Sequence, residues 1–260
     1  AQTNFVLSGY ISDAETNETL IGVNVILPDL KLGTTTNEYG FYSITIPQGE
    51  HQLIISYLGF GSVYKNLNLK EDLTENIKLT ATAEVLDEVV VNENVELLNL
   101  KSPQMSVNSL AINTIKKMPA ALGEVDIIRS ITLLPGVTNG GEGASGFNVR
   151  GGAADQNLIL LDEAIIFNSS HLFGFFSVFN PDAIKDIKLY KGGIPANYGG
   201  RVASVLNIYQ KDGNSNDFNA QGGIGLISSR LLLEGPLKKE KGSFLIGGRS
   251  SYAHLFLPLI

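Results

Sequence analysis

Turn-forming residues recur about every eight to twelve positions between Phe5 and Leu79, which limits the front of the chain to short strands. The stretches "DAETNET", "PDLKLG", "TNEYG", "PQGE" and "LGFG" supply the Gly, Pro, Asn and Asp that tight reversals need. Apolar residues alternate between them. The alternation puts Tyr42, Ile44 and Ile46 on one strand face and Leu53, Ile55 and Tyr57 on another. This is the pattern of a small β-sandwich.

Length and composition set the remaining bounds. A chain of 260 residues with 43% apolar content has enough material for a true core, in one large domain or two ordinary ones. Acidic residues outnumber basic ones, 26 to 19, and no dense Lys/Arg stripe occurs. The electrostatic footprint of nucleic-acid binding is therefore missing, and no nucleic-acid partner is expected. With no cysteine, the chain has no disulfide, thiolate metal site or Cys nucleophile. His51, His171 and His254 lie far apart, and none has a neighbour at metal-ligand spacing, so neither a metal nor a cofactor is expected. No apolar run is long enough for a membrane-spanning helix.

Between Thr80 and Ser102 the character changes to "TATAEVLDEVVVNENVELLNLKS". Its run Val89, Val90, Val91 has strong strand propensity but no alternating partner nearby. Two readings stay open: the last strand of the sandwich, or a segment kept for pairing with the sheet edge of another protein. Beyond Ser102, "SLAINTIKKMP" and "GEVDIIRSITLLPG" have helix-compatible apolar spacing, and each ends at a proline. Short apolar runs follow, separated by Gly, Asn and Asp, in an irregular α+β pattern rather than a doubly wound sheet.

The stretch "GGEGASGFNVRGG" contains a literal G-x-G-x-x-G at Gly141, Gly143 and Gly146. A dinucleotide fingerprint needs a strand running into the glycines and a helix leaving them, because the helix N-terminus holds the pyrophosphate. Here the glycines follow "LLPGVTNG", and the alternating Phe147 and Val149 predict a strand after them. They read as flexible backbone between a helix and a strand. Asp162 and Glu163 read as neighbours on a strand, pointing to opposite faces, and so are no acid dyad. Ser145 lacks a nucleophile elbow. No catalytic residue is expected.

The stretch from "GYISDAETNETLIGVNV" through "GTTTNEYGFYSI" to "SYLGF" resembles the carboxypeptidase-regulatory-like domain that precedes many Bacteroidota outer-membrane receptors. "LLPGV", "FNVRGG" and the run from "NLILLDEAIIFN" to "VLNIYQKDG" resemble the plug domain of TonB-dependent outer-membrane receptors. That resemblance implies a plug seated inside a large β-barrel. It also implies that Glu84, Val85, Leu86, Asp87, Glu88, Val89, Val90 and Val91 form a TonB box. Such a box pairs as a strand with the TonB C-terminal domain in the periplasm. Arg129 and Arg150 match plug arginines, and the expectation is that they pair with barrel carboxylates as a latch, against a surface role for each. Asn168, Ser169, Ser170 and His171 open the loop expected to face substrate, while Phe173, Phe175, Phe176 and Phe179 read as plug core rather than a sugar platform.

After "YQKDGNSND", Phe218 to Leu237 and Gly242 to Leu257 alternate like two long strands joined by "EGPLKKEKGS", a hairpin long enough to cross a bilayer. Two strands cannot close a barrel, so the chain reads as the front part of a longer receptor. The expected fold is mainly β with α+β. It comprises an Ig/transthyretin-like sandwich over 1–80, a linker with TonB box over 81–102, a plug over 103–213 and a first barrel hairpin over 214–260. The expected function is TonB-coupled import of a glycan, peptide or metal chelate through the outer membrane of a Gram-negative bacterium, with the N-terminal domain in the periplasm. A surface-exposed lipoprotein lid is a further implied partner. The rival readings are a plug or interaction subunit that seals a different outer-membrane channel, and an enzyme built on the same scaffold.

Overall fold

The computed structural model describes residues 3–82, 107–116, 125–140, 146–171, 176–225 and 228–252. The predicted TonB box, Glu84 to Val91, lies outside the described residues, as do Gly141, Gly143, Phe173 and Phe175. The chain divides into two compact units. One is Ala1–Pro103 with Asn214–Asp217 and Pro236–Gly242, and the other is Gln104–Gly213 with Phe218–Gly235 and Ser243–Ile260.

The first unit contains the expected sandwich, made of two four-stranded sheets. In the first sheet β1 (Asn4–Asp13) is central. It pairs antiparallel with β4 (Phe41–Pro47) and parallel with the short β7 (Leu73–Thr74) and β8 (Ile77–Leu79). The second sheet runs in the order β3 (Leu32–Thr35), β2 (Asn24–Leu27), β5 (Gly49–Ser56), β6 (Val63–Leu69). Alternate residues of both sheets meet between them: Leu7, Ile11, Val25, Ile46, Leu53 and Ile55 are wholly buried. The turns are made as the sequence suggests. Asn37 accepts from the amides of Tyr39 and Phe41 through its side-chain oxygen, both at 3.0 Å, and a 3₁₀ turn over Pro28–Leu30 with Lys31 at φ 52° joins β2 to β3.

Tyr42 is the largest side chain in this core, and its phenol donates to the Glu75 carbonyl at 2.9 Å. Burial, and secondarily the charge of Glu75, push the phenol from 10.0 up to about 12. A raised phenol favours the neutral folded form, so this contribution is complete below pH 10 and is lost as the pH rises through about 12. Alkaline titration of sandwich stability is expected to show a fall in that window. Tyr42→Phe is expected to flatten the fall while costing about 1 kcal/mol at neutral pH; an unchanged alkaline profile in the variant would refute the assignment.

The second unit is organised by a five-stranded mixed sheet in the order β13 (Ala164–Ile165), β12 (Asn157–Leu161), β17 (Ser204–Gln210), β16 (Ile184–Tyr190), β9 (Val107–Ala111). β12 and β17 are parallel and every other pair is antiparallel. Two helices, Ile112–Lys116 and Ile127–Ile131, contribute Ile115, Ile127 and Ile131 to a core shared with Phe147, Ile187, Leu189, Leu206 and Ile208. Phe179 belongs to the same core.

Four local expectations are corrected. The run read as a helix from Ser109 begins as strand β9, because Val107–Ala111 finds a pairing edge on β16, and among the described residues of the run only Ile112–Lys116 is helical. The glycine run does not connect a helix to a strand. It joins β10 (Val137–Asn139) to the antiparallel β11 (Phe147–Val149), so no helix N-terminus stands ready for a phosphate. Asp162 and Glu163 do not lie on a strand; with φ of 46° and 69° they are the two-residue turn between β12 and β13. Asp162 earns its place there by accepting from the Gln210 amide at 2.9 Å.

The last correction concerns the expected barrel hairpin. Phe218–Leu237 is two strands, β18 (Asn219–Ile224) and β19 (Ser228–Lys238), which with β20 (Gly242–Ser251) make a three-stranded sheet. The "GGIG" glycines permit the reversal, and Gly225 N–H donates to the Ser228 carbonyl at 2.8 Å across it. Along β19 one face is buried and the other exposed: Leu232 and Glu234 are buried, whereas Leu231, Leu233 and Leu237 form an apolar exposed stripe.

Candidate functional site

Two places in the second unit combine polar side chains with a defined geometry. The first is a cleft of about 330 Å³ beside β12, where Asp155, Arg201 and the exposed Phe167 ring surround Asn168 and Ser169. Its floor is rigid. The buried Asn157 amide donates to the Phe147 carbonyl at 2.6 Å and its oxygen accepts from Ser204 Oγ at 2.7 Å, tying β11, β12 and β17 together. Asn168 closes an Asx turn onto the Ser170 amide at 3.2 Å, while Ser169 is buried beneath it. Ser170 and His171 form strand β14 (Ser170–His171), paired with β15 (Phe176–Ser177). The structure therefore gathers Asn168 and Ser169 at the cleft with two residues not anticipated from sequence, Asp155 and Arg201.

The two arginines singled out in the sequence are on separate elements. Arg129 is exposed on the helix Ile127–Ile131, where its backbone N–H is capped by Asp126 Oδ1 at 3.0 Å. Arg150 is exposed in a turn of the I′ sign, with φ of 49°, followed by Gly151 at 82°. The "RGG" motif has a backbone reason here. Gly151 supplies the second positive φ, and a Cβ on Gly152 would lie 2.6 Å from Ala203 Cβ.

The second place is the seam between the five-stranded sheet's loops and β18–β20. The Asp182 carboxylate, 7% exposed, takes Arg230 Nε of β19 on Oδ2 at 2.7 Å and Lys116 Nζ on Oδ1 at 3.2 Å. Burial pushes this carboxyl upward. The hydrogen bond from Arg230 and the positive charges of Lys116 and Arg230 outweigh that effect and hold it below the ordinary aspartate value. A few residues away, Arg249 of β20 donates to the Ser177 carbonyl at 2.9 Å. The Ser177 amide in turn donates to Asp126 Oδ2 at 2.5 Å. Sequence reasoning missed this seam because Asp182 and Arg230 lie 48 residues apart, with nothing local to mark either.

Among the described residues no cluster of His, Asp and Glu could hold a metal ion, and no helix is long and apolar enough to cross a membrane.

Residues 7–91 match the model of the CarboxypepD_reg-like domain, and residues 100–205 match that of the TonB-dependent Receptor Plug Domain. The chain therefore carries a CarboxypepD_reg-like domain followed by a TonB-dependent receptor plug domain. It is 28% identical over 204 residues to TonB-dependent receptor P39 of Formosa agariphila, covering 74% of this chain and 18% of that protein. It is 26% identical over 226 residues to TonB-dependent receptor SusC of Bacteroides thetaiotaomicron, covering 80% of this chain and 21% of that protein. The chain thus spans about a fifth of the length of these curated relatives. Among solved structures, the siderophore receptor PirA from Pseudomonas aeruginosa aligns over 57% of this chain and 28% of its own, at 22% identity and a TM-score of 0.40. TonB-dependent receptors are outer-membrane proteins of Gram-negative bacteria.

Proposed function

We propose that the chain is the front part of a TonB-dependent outer-membrane transporter in which the plug gates energy-coupled import of a nutrient. The observation that carries the reading is the seam: a plug-type sheet bound through Asp182 and Ser177 to strands whose opposite face presents Leu231, Leu233 and Leu237 as an apolar stripe. That alternation suits a barrel wall, polar toward the plug and apolar toward lipid. In this reading residues 1–80 are a periplasmic adaptor and 81–102 a tether. Residues 103–213 are the plug, and the strands within 214–260 begin the wall.

Glu84 to Val91 is the TonB box in this proposal, a β-branched segment that pairs with the edge strand of the TonB C-terminal domain. Arg129 and Arg150, both exposed, pair with carboxylates of the barrel wall. The cleft holding Asn168 and Ser169 faces the cargo, which is a glycan, peptide or metal chelate, and a surface lipoprotein closes the barrel from outside. Deleting Glu84–Val91 from the full-length protein is expected to abolish uptake of its cargo while leaving cargo binding at the cell surface intact. Uptake at the wild-type rate after the deletion would reject the proposal.

A further inference from the structure

Among the described residues strand β9 is the edge of the plug sheet, held on one side by its register Val107↔Tyr190 to Ala111↔Asp186 with β16. An edge strand with one partner opens at lower cost than the central strands. It is also the first described plug element after the tether, so a pull from the N-terminal side reaches it before the central strands. The helix Ile112–Lys116 follows directly, and at its last residue the path changes: Lys116 Nζ is bound to Asp182 Oδ1, and Asp182 Oδ2 to Arg230 on β19. Load that has peeled β9 away therefore meets two holds at this helix: the packing of Ile112 and Ile115 in the plug core, and the ion pair of Lys116 with Asp182, which passes load on to β19. Breaking that path at either cation leaves a buried carboxylate under-compensated.

We propose that the Lys116–Asp182–Arg230 triad is the brake that ends the first stage of plug unravelling, so that residues before Lys116 leave while the segment around Asp182 stays on β19. Among the described residues the next hold along the chain is Asp126, whose carboxylate binds the Ser177 amide, itself tied to β20 through Arg249. The inference rests on the proposed function, in which force enters ahead of the plug.

The test is force spectroscopy on the full-length protein in a lipid bilayer, pulled through a covalent handle on a single cysteine replacing Asn92. In the wild type the first release ends at Lys116. In Lys116→Met it is expected to run on to Asp126, ten residues further, which lengthens it by about 35 Å. Asp182→Asn is expected to lengthen it in the same way. Lys185→Met, which removes the separate pair with Asp212, is expected to leave it unchanged. Equal first-release lengths in wild type and Lys116→Met would overturn the proposal. Lys116 is a third exposed and its loss leaves Asp182 with Arg230, so this variant decides the matter even where Asp182→Asn fails to assemble. Because the handle is covalent, the result does not depend on TonB binding. Uptake that survives loss of Glu84–Val91 would sink the transport reading and leave these lengths untouched.

Discussion

Replacing Gly9 by alanine is expected to destabilise the N-terminal sandwich by about 3 kcal/mol or more, the range of a core substitution that forces backbone to move. Gly9 stands on β1 opposite Tyr42. A Cβ there would lie 1.9 Å from the Glu75 carbonyl oxygen and 2.6 Å from its carbon, and neither atom can swing aside as a side chain would. The segment it would displace is anchored twice. Glu75 N–H donates to the Ser8 carbonyl at 2.7 Å, and Glu75 C=O accepts the Tyr42 phenol at 2.9 Å. Moving residue 75 away from β1 thus strains both bonds and uncovers the core around Tyr42. Gly22→Ala is the control: Gly22 has φ of 76° but nothing within 4 Å of its Cβ position, so only backbone strain of about 1 kcal/mol is expected. Calorimetry of both variants should show the Gly9 variant melting well below the Gly22 variant, at about 4–8 °C per kcal/mol for a domain of this size. Equal melting temperatures would show that the close approach at Glu75 relaxes at little cost.

In the second unit, Asp126→Ala is expected to cost about 2–4 kcal/mol and to loosen the seam with β20. The carboxylate does two jobs from a buried position: Oδ1 caps the helix Ile127–Ile131 through Arg129 N–H, and Oδ2 satisfies the Ser177 amide. Losing the cap costs about 1 kcal/mol. Leaving the buried Ser177 N–H unpaired adds about 1–3 kcal/mol. Asp126→Asn keeps one acceptor oxygen and is expected to fall between alanine and wild type. Hydrogen exchange by mass spectrometry should show faster exchange at Ser177 and in the first turn of the helix. Protection equal to wild type in Asp126→Ala would mean that water or another acceptor replaces the carboxylate.

The sandwich was legible because its determinants are local. Alternation along Phe41–Pro47 and Gly49–Ser56 selects the buried face, and Asn37, Pro28 and Gly40 mark the reversals where the chain turns. The strand after Gly141, Gly143 and Gly146 was also legible from its alternation, and β11 stands there, whereas the strand β10 before them was not. The errors came where two structures compete for the same residues. Ser109–Lys116 has helical spacing, yet its first residues pair with β16, an edge supplied from about 75 positions further along the chain. Asp162 and Glu163 look like strand residues because the usual Asn or Gly of a two-residue turn is absent; the Gln210 amide that stabilises Asp162 in that turn comes from another strand.

The candidate site divides along the same line. The sequence alone determined the sandwich and the resemblance of the second half to a receptor plug, because turn chemistry and ordered motifs act over short stretches of chain. Only the tertiary structure decided the five-stranded order with parallel β12 and β17, the gathering of Asp155 and Arg201 beside Asn168, and the bond from Asp182 to Arg230. The physical reason is that a carboxylate and a guanidinium have no sequence signature of partnership. Their pairing exists once folding removes both from water and brings each within reach of the other.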